Sequence, residues 1–366
     1  MKQNKAYKFR IYPNEEQKII FAKTFGCTRF IYNKMLSDKI DYYQQTKQRL
    51  NNTPAQYKTE FEWLKEVDSL ALANAQMNLQ KAFTNFFTNP KSGFPKFKSK
   101  HKNRKSYTTN NQRNTITLKN GYLKLPKLVD LVRVKQHRQI SKDHKIKSVT
   151  ISQTPSGKYY ASILCEYESQ IQPIESKTFL GLDFSMKELY VASDNTSAEY
   201  PRYFRKSQKK LAREQRKLSK CVIGSQKRNK QRLKVAKLHE KVANQRKDFL
   251  HKLSRQIANT YDCVCIEDLD MKAMSQALNF GKSVADNGWG MFTTFLKYKL
   301  EDLGKQLIKI DRWFPSSKTC SNCGNVKENL SLSDRIYHCS NCGITLNRDY
   351  NASMNIKSQG MKLVIS

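Results

Sequence analysis

A multidomain α+β protein is what this chain of 366 residues predicts: a β-barrel with a helical bundle inserted into it, followed by an α/β domain that carries a four-cysteine zinc-binding insert. Three observations carry that reading. Residues 5–13 and 113–168 alternate apolar and polar side chains with the period of a strand, whereas 14–88 repeat at helical spacing. Beyond Thr178 the pattern runs strand pair, helix, strand, helix, strand, helix, the alternation that builds an α/β layer. Near the C-terminus two Cys-x-x-Cys pairs are separated by 15 residues.

In chain order, KAYKFRIYP puts Tyr7, Phe9 and Ile11 on one face and Lys8, Arg10 and Tyr12 on the other, ending at Pro13. Such a strand is too short to stand alone, and the later strands offer it a sheet. Asn14 with Gln17 opens a helix predicted to stop near Gly26, and a second helix runs from Arg29 to Leu36. Trp63 to Phe87 is a longer amphipathic stretch, with Leu72, Leu79, Phe83 and Phe86 on its apolar side. From Asn89 to Gln112 periodicity gives way to Pro90, Gly93, Pro95 and a Lys-rich loop. TITLKNGYLKLP, LVRVKQ and KSVTISQTPSGKYYASILCEYE read as short strands, with a hairpin closing at Pro155, Ser156 and Gly157. After the linker SQIQPIES, the runs FLGLDFS and LYVASDN are two strands. Pro201 to Lys252 is a pair of long basic helices joined near Gly224, DCVCIEDL is a buried strand, and Trp289 to Leu303 is a helix. LIKIDRWF, the cysteine cluster and a last short helix from Asp349 complete the chain.

Composition narrows function. Lys and Arg number 67 against 31 Asp and Glu, a formal net charge of +36, which points to a polyanion partner. Hydrophobic residues at 38% are enough for folded cores and exclude wholesale disorder. No window resembles a membrane helix and the start MKQNKAYKFRIYPNEE lacks a secretion signal's apolar core, so the expected compartment is the cytoplasm. Cys27, Cys165, Cys221, Cys263 and Cys265 are scattered, which is no disulfide framework.

The remaining four cysteines are a metal signal. Cys320/Cys323 and Cys339/Cys342 are each followed by glycine, Gly324 and Gly343, giving two tight knuckles that complete a four-thiolate, closed and non-catalytic zinc site. Three acids are placed differently. Asp183 lies in an apolar strand beside Gly181, Glu267 ends another apolar strand, and Asp349 stands where a helix begins. A carboxylate at the exit of a buried strand is costly unless paired or metal-bound. If strands and helix converge, the three offer hard oxygen ligands suited to Mg²⁺ or Mn²⁺, and two such ions support phosphodiester hydrolysis. Taken singly, Asp349 is equally readable as a helix N-cap, and Asp268 and Asp270 as loop acids.

The segments YKFRIYPNEEQ, CTRFIYNKML, GFPKFKSK, GLDFSMKELYVAS, RKDFLHKLSRQIANTYDCVCIEDL, SSKTCSNCG and CSNCGITLNRDYNASMNI together resemble the TnpB family of bacterial insertion sequences, relatives of type V CRISPR effectors. The resemblance spans essentially the whole chain. It implies a RuvC-like nuclease domain of RNase H fold over 178–315 and 346–366, a zinc ribbon over 316–345, a wedge-like barrel over 1–13 and 113–170, and a helical recognition domain with its basic loop over 14–112. It further implies that Asp183, Glu267 and Asp349 are the catalytic acids, although the family often has an acid where this chain has Asn347. The implied activity is RNA-guided cleavage of double-stranded DNA beside a short transposon-adjacent motif, with a guide RNA from the transposon end.

Charge serves that activity. Between Arg202 and Lys247 there are 18 Lys or Arg and two Glu, a density suited to phosphate binding by counterion release. Candidate contacts to nucleic acid are Arg10, Arg29, Lys96, Lys98 and Lys100 in the first half and Arg205, Lys206, Lys209, Lys210 and Arg213 on the basic helices. Phe94, Phe97 and Tyr107 interleave with lysines, which suits base stacking or loop packing equally. Two competing readings use the same residues: a transposase joining DNA ends through the three acids, and a non-catalytic zinc-ribbon repressor.

Overall fold

The computed structural model describes residues 2–277, 281, 286–331 and 333–365, and the chain divides into two units, Met1–Gln170 and Ile171–Ser366. Among the described residues no helix is long and apolar enough to cross a membrane.

In the first unit seven strands, β1 (Lys2–Tyr12), β2 (Lys105–Asn110), β3 (Thr117–Lys119), β4 (Tyr122–Lys124), β5 (Val132–Lys135), β6 (Lys145–Gln153) and β7 (Tyr159–Glu168), form one antiparallel sheet in the order β2-β6-β7-β1-β5-β4-β3. The two end strands, β2 and β3, do not pair with each other, so the expected barrel is a half-barrel. β1 buries Tyr7, Phe9 and Ile11 on one face against Val149, Ile151, Ala161 and Ile163. The β6–β7 hairpin turns through Gly157 at φ +86°, a conformation glycine adopts without a Cβ clash.

β2 corrects the sequence reading, which leaves 89–112 as a loop. Its period-two pattern is short and surrounded by lysines, but Tyr107 enters the sheet core and Thr108 hydrogen-bonds Thr150 across the pair at 2.8 Å.

A second correction concerns the first helix. α1 (Glu15–Thr46) starts on the expected capping box, Asn14 Oδ1 accepting from Gln17 N–H at 2.8 Å and Gln17 Oε1 from Asn14 N–H at 3.1 Å, but it runs uninterrupted past Gly26. An interior glycine costs about 1 kcal/mol, less than is gained by burying Phe21, Phe25 and Ile31 on either side of it. The helix ends at Lys47, whose φ is 58°. Its first half packs on the sheet core, and its second half buries Ile31, Met35 and Leu36 against Leu64, Leu72 and Leu79. After the short α2 (Tyr57–Glu60), Trp63 belongs to a 3₁₀ turn and not to the following helix, α3 (Ser69–Thr88), which Asp68 caps by accepting from Leu70 N–H.

The second unit is a mixed sheet of four strands, β8 (Phe179–Phe184), β9 (Tyr190–Ala192), β10 (Cys263–Glu267) and β11 (Gln306–Ile310), in the order β11-β10-β8-β9. β10 runs parallel to both β8 and β11, and β9 is antiparallel to β8. The basic helices α4 (Tyr203–Ser219) and α5 (Gln226–Thr260) are joined through Gly224 at φ +85°, as the sequence predicts. They are followed by α6 (Met271–Ala277), α7 (Trp289–Glu301) and α8 (Arg348–Ile365). The hairpin β12 (Ile336–His338) and β13 (Thr345–Asn347) lies among the four clustered cysteines.

Strand alternation then divides the sheet into two faces. Leu180, Leu182, Val264 and Ile266 share a core with Leu250 and Ile257 of α5 and Phe292 and Leu296 of α7. Cys263 and Cys265 face the other way and pack with Ile356 of α8. There the helix approaches the strands at backbone distance: a Cβ on Gly181 would lie 2.1 Å from Ser353 O and 2.7 Å from Lys357 N, and one on Gly360 would lie 2.2 Å from Cys265 Sγ.

Gly181→Ala is therefore expected to destabilise the protein by about 2 kcal/mol or more, lowering Tm by roughly 5 °C. Gly93→Ala, which meets nothing within 4 Å, is the control, and a melting curve for Gly181→Ala that overlays the parent's would contradict the packing.

Candidate active site and metal centre

The face of the sheet under α8 is also the face that carries the acids. β8 and β10 run in parallel register up to Leu182↔Ile266, and the next residue on each strand is Asp183 or Glu267, so the two carboxylates leave neighbouring strands side by side. Asp349 is the second residue of α8. It is not the cap: Asn347 Oδ1 accepts from the backbone N–H of Asp349 at 2.9 Å and of Tyr350 at 3.1 Å, which leaves the Asp349 carboxylate out of the capping bonds. Asp268 and Asp270 are structural, Asp268 pairing with Lys309 and Arg312, and Asp270 accepting from the N–H groups of Lys272 and Ala273 in α6.

Asp183 feels the charge of the other two acids. Burial, and then the charges of Glu267 and Asp349, hold the Asp183 carboxyl well above the usual carboxylate range, against the opposing pull of Arg348 and the Phe184 N–H. Burial also raises Glu267, and the Ser316 hydroxyl, which donates to Glu267 Oε1, works the other way. Asp183 and Asp349 line a cleft of about 1050 Å³ whose walls also carry Lys187, Arg202, Arg205 and Arg348. An acidic floor inside a cationic rim suits a divalent cation together with a phosphodiester. Sequence reasoning missed Ser316 and Arg348. The only available hint for Arg348 was its place directly before Asp349.

The cysteines meet as the spacing demands. Among the described residues, Cys320, Cys323, Cys339 and Cys342 form the one such group of potential metal ligands, with donor atoms all within 4.8 Å of one another. The Cys320–Cys342 and Cys323–Cys339 sulfurs are 3.6 Å apart, close to the ~3.8 Å edge of a tetrahedron with Zn–S bonds of about 2.3 Å. The Ile344 N–H and then the Asn322 amide hold the Cys342 thiol down to about 6, which favours the ligating thiolate.

α8 binds this cluster to the acids. Asn351 accepts from Ser321 N–H at 2.9 Å and donates to Thr319 O at 2.7 Å, while Asn355 donates to Ser316 O at 2.8 Å and Thr319 O at 2.6 Å. The first knuckle is thereby held to the helix that carries Asp349, and Ser316 reaches from it to Glu267.

The candidate nucleic-acid contacts fall on both units. Arg10 stacks between Tyr12 and Tyr160, 5.4 Å from each ring centroid. Arg29, Lys98 and Lys100 line a cleft of about 310 Å³ with Asn74, Asn78 and Tyr107. Lys98 is partly committed, with Nζ 3.7 Å from the Tyr32 ring centroid and its backbone bonded to the Asn33 side chain. Lys96 is exposed in the loop, as are Arg205, Lys206, Lys209, Lys210 and Arg213 on α4, where Arg213 also meets Glu214 at 3.3 Å.

Known proteins match this chain along its length. Residues 162–278 match the family model described as "Probable transposase", 289–356 that of "Cas12f1-like, TNB domain" and 1–48 that of "Helix-turn-helix domain". In this chain residues 2–46 are a strand and one continuous helix, not two helices around a turn. The chain is 34% identical, over 98% of its length and 89% of the relative's, to a "Putative RNA-guided DNA endonuclease" of Streptomyces pristinaespiralis. It is 30% identical, over 98% and 93% respectively, to "Putative RNA-guided DNA endonuclease InsQ" of Escherichia coli (strain K12). A solved structure titled "Cryo-EM structure of the Cas12f1-sgRNA-target DNA complex" superposes with a TM-score of 0.63 at 15% identity, covering 97% of this chain and 99% of that one, a likeness of fold.

Purified protein is expected to carry one zinc per chain, and Cys320→Ser to lose zinc and solubility together. Stoichiometric zinc retained by that variant, measured by elemental analysis, would remove the four-cysteine assignment.

Proposed function

The chain belongs to the TnpB family, and from that premise we propose that it is an RNA-guided DNA endonuclease that cuts duplex DNA beside a short transposon-adjacent motif. What supports the proposal is that Asp183 and Glu267 leave neighbouring strands side by side, that the charge of Asp349 bears on Asp183, and that Asp183 and Asp349 line a cleft shared with Arg202, Arg205 and Arg348. In this reading residues 178–315 and 346–366 are a RuvC-like nuclease domain and 316–345 its zinc ribbon. The barrel-like segments 1–13 and 113–170 and the helical segment 14–112 hold the guide RNA and the motif-bearing duplex. A polyanion substrate of this kind places the protein in the cytoplasm.

The donor set fits hard divalent cations: three carboxylates, partly buried, crowd their negative charge with Arg348 as a nearby counter-charge. Asp183, Glu267 and Asp349 would hold Mg²⁺ or Mn²⁺, which supplies an activated water and neutralises the leaving oxygen in an in-line displacement. The protein's own groups orient the reactants. Ser316 fixes the rotamer of Glu267, Asn347 takes over the helix cap so that Asp349 is available, and Arg202 and Arg205 face the cleft where a phosphate backbone would lie. Exposed cations along α4 draw the nucleic acid in and make its binding salt-sensitive.

Plasmid bearing the target and adjacent motif should be linearised by the protein with Mg²⁺ and a matched guide RNA. Asp183→Ala should cut at least about a hundredfold more slowly, a loss of about 2.7 kcal/mol in transition-state stabilisation. Cutting at the parental rate would refute the site, and joined DNA ends in place of linear breaks would indicate strand transfer instead.

A further inference from the structure

The turn after Asp183 is closed within its own hairpin only by long bonds, Ser185 N–H to Leu189 O at 3.5 Å and Glu188 N–H to Ser185 Oγ at 3.3 Å, and is gripped from outside as well. Asn287 is buried and donates from Nδ2 to two carbonyls of that turn, Ser185 O at 3.0 Å and Glu188 O at 2.9 Å. Its own Oδ1 is buried and has no partner among the described residues. The preceding residue grips a different element. Asp286, also buried, accepts the backbone N–H of Phe204 at 3.1 Å and of Arg205 at 3.4 Å, closing the first turn of α4 from 82 residues away. Arg246 of α5 meets the same carboxylate at 3.3 Å, and Gly288 at φ +78° folds the chain back so tightly that a Cβ there would lie 3.1 Å from Arg246 Cδ.

Two adjacent residues therefore tie the start of the basic helix to the turn that follows Asp183, and the link is reinforced where Arg202 Nη2 approaches Lys187 O at 3.4 Å. Ser185, Lys187, Glu188, Arg202 and Arg205 all border the cleft that contains Asp183. We propose that Asp286 and Asn287 are positioning residues that couple polyanion binding on α4 to the placement of Asp183. The inference rests on the nuclease reading for its consequence in cleavage, but the mechanical coupling stands apart from it. A peptide bond between the two grips leaves little slack, so load taken up by the Arg205, Lys206, Lys209 and Lys210 face of α4 reaches the Ser185–Glu188 turn without passing through the sheet. Both residues act through other groups, with no claim on the reacting atoms themselves.

The test uses the full chain and a mixed-sequence single-stranded RNA. Amide exchange over residues 184–190 is followed with and without RNA in the parent, Asn287→Ala and Asp286→Asn. In the parent, RNA should slow exchange in this turn by about tenfold. Asn287→Ala should bind the RNA within about twofold of the parent yet lose the slowing, and with a matched guide it should cut about 10–100-fold more slowly with a raised Mg²⁺ requirement. Asp286→Asn keeps one acceptor and the shape of the side chain while losing the charge facing Arg246, so an intermediate loss supports the coupling even if Asn287→Ala fails to fold. Exchange in either folded variant that responds to RNA as the parent does would overturn the proposal. A parent that shows the RNA response but never cuts DNA would sink the nuclease reading and leave the coupling standing.

Discussion

Where α8 crosses β8, the strand has no room for a side chain, and most of the second unit's geometry follows from that crossing. Gly181 lets the Ser353 carbonyl descend onto the strand, and Gly360, two turns further along, does the same over Cys265. With the axis fixed at two points, the first turn of the helix lies beyond the ends of β8 and β10, which brings Asp349 toward Asp183 and Glu267. Apart from Ile356, the buried face of the helix is built of small and amide side chains, Asn351, Ala352, Ser353, Asn355 and Gly360, so closeness and polar anchoring come from the same stripe. Through Asn351 and Asn355 that stripe also holds the knuckle at 316–321, and Ser316 extends the hold to Glu267. The four-cysteine cluster thus bears on the neighbourhood of Glu267 and Asp349 through hydrogen bonds.

Charge in this protein works at two ranges. The net +36 gathers polyanion over the Debye length, while the acids repel it over a few ångströms. Arg202, Arg205 and Arg348 stand at the boundary between these regimes, lining the cleft around Asp183 and Asp349. The same cleft thus presents cations as well as carboxylates.

Much of this was legible from residues alone, and the exceptions have physical causes. Asp183 and Glu267 could be singled out because charge in an apolar strand is expensive, Asp349 through the motif that resembles the family's, and the cysteines because their spacing admits few other uses. The strand at 105–110 was hidden by its lysines, since only Tyr107 and Thr109 point inward and two residues do not make a period. Gly26 looked like a stop because propensity counts a glycine's cost and not the flanking phenylalanines' gain. Trp63 misled in the opposite direction: its apolar side serves Phe30 and Phe61, at 4.8 and 6.0 Å, in an aromatic trio and not a helix face. Asn287 and Ser316 could not be found at all by pattern, because their partners are 99 to 102 and 49 residues away and a single amide or hydroxyl leaves no periodic trace.

β1 occupies an interior position in its sheet, paired with β7 from Lys2↔Glu168 to Ile11↔Tyr159 on one side and with β5 on the other. During synthesis it leaves the ribosome well before its longest partner, which emerges some 150 residues afterwards, about 8–30 s at ordinary elongation rates. For that interval the strand is an unpaired edge with three large apolar side chains, the kind of segment that nucleates aggregation. Lys2, Lys5, Lys8 and Arg10 are spread along the same strand, and their mutual repulsion between nascent copies guards it until β7 arrives. The cations of β1 thus have a task in the life of the chain that is finished before any nucleic acid is bound.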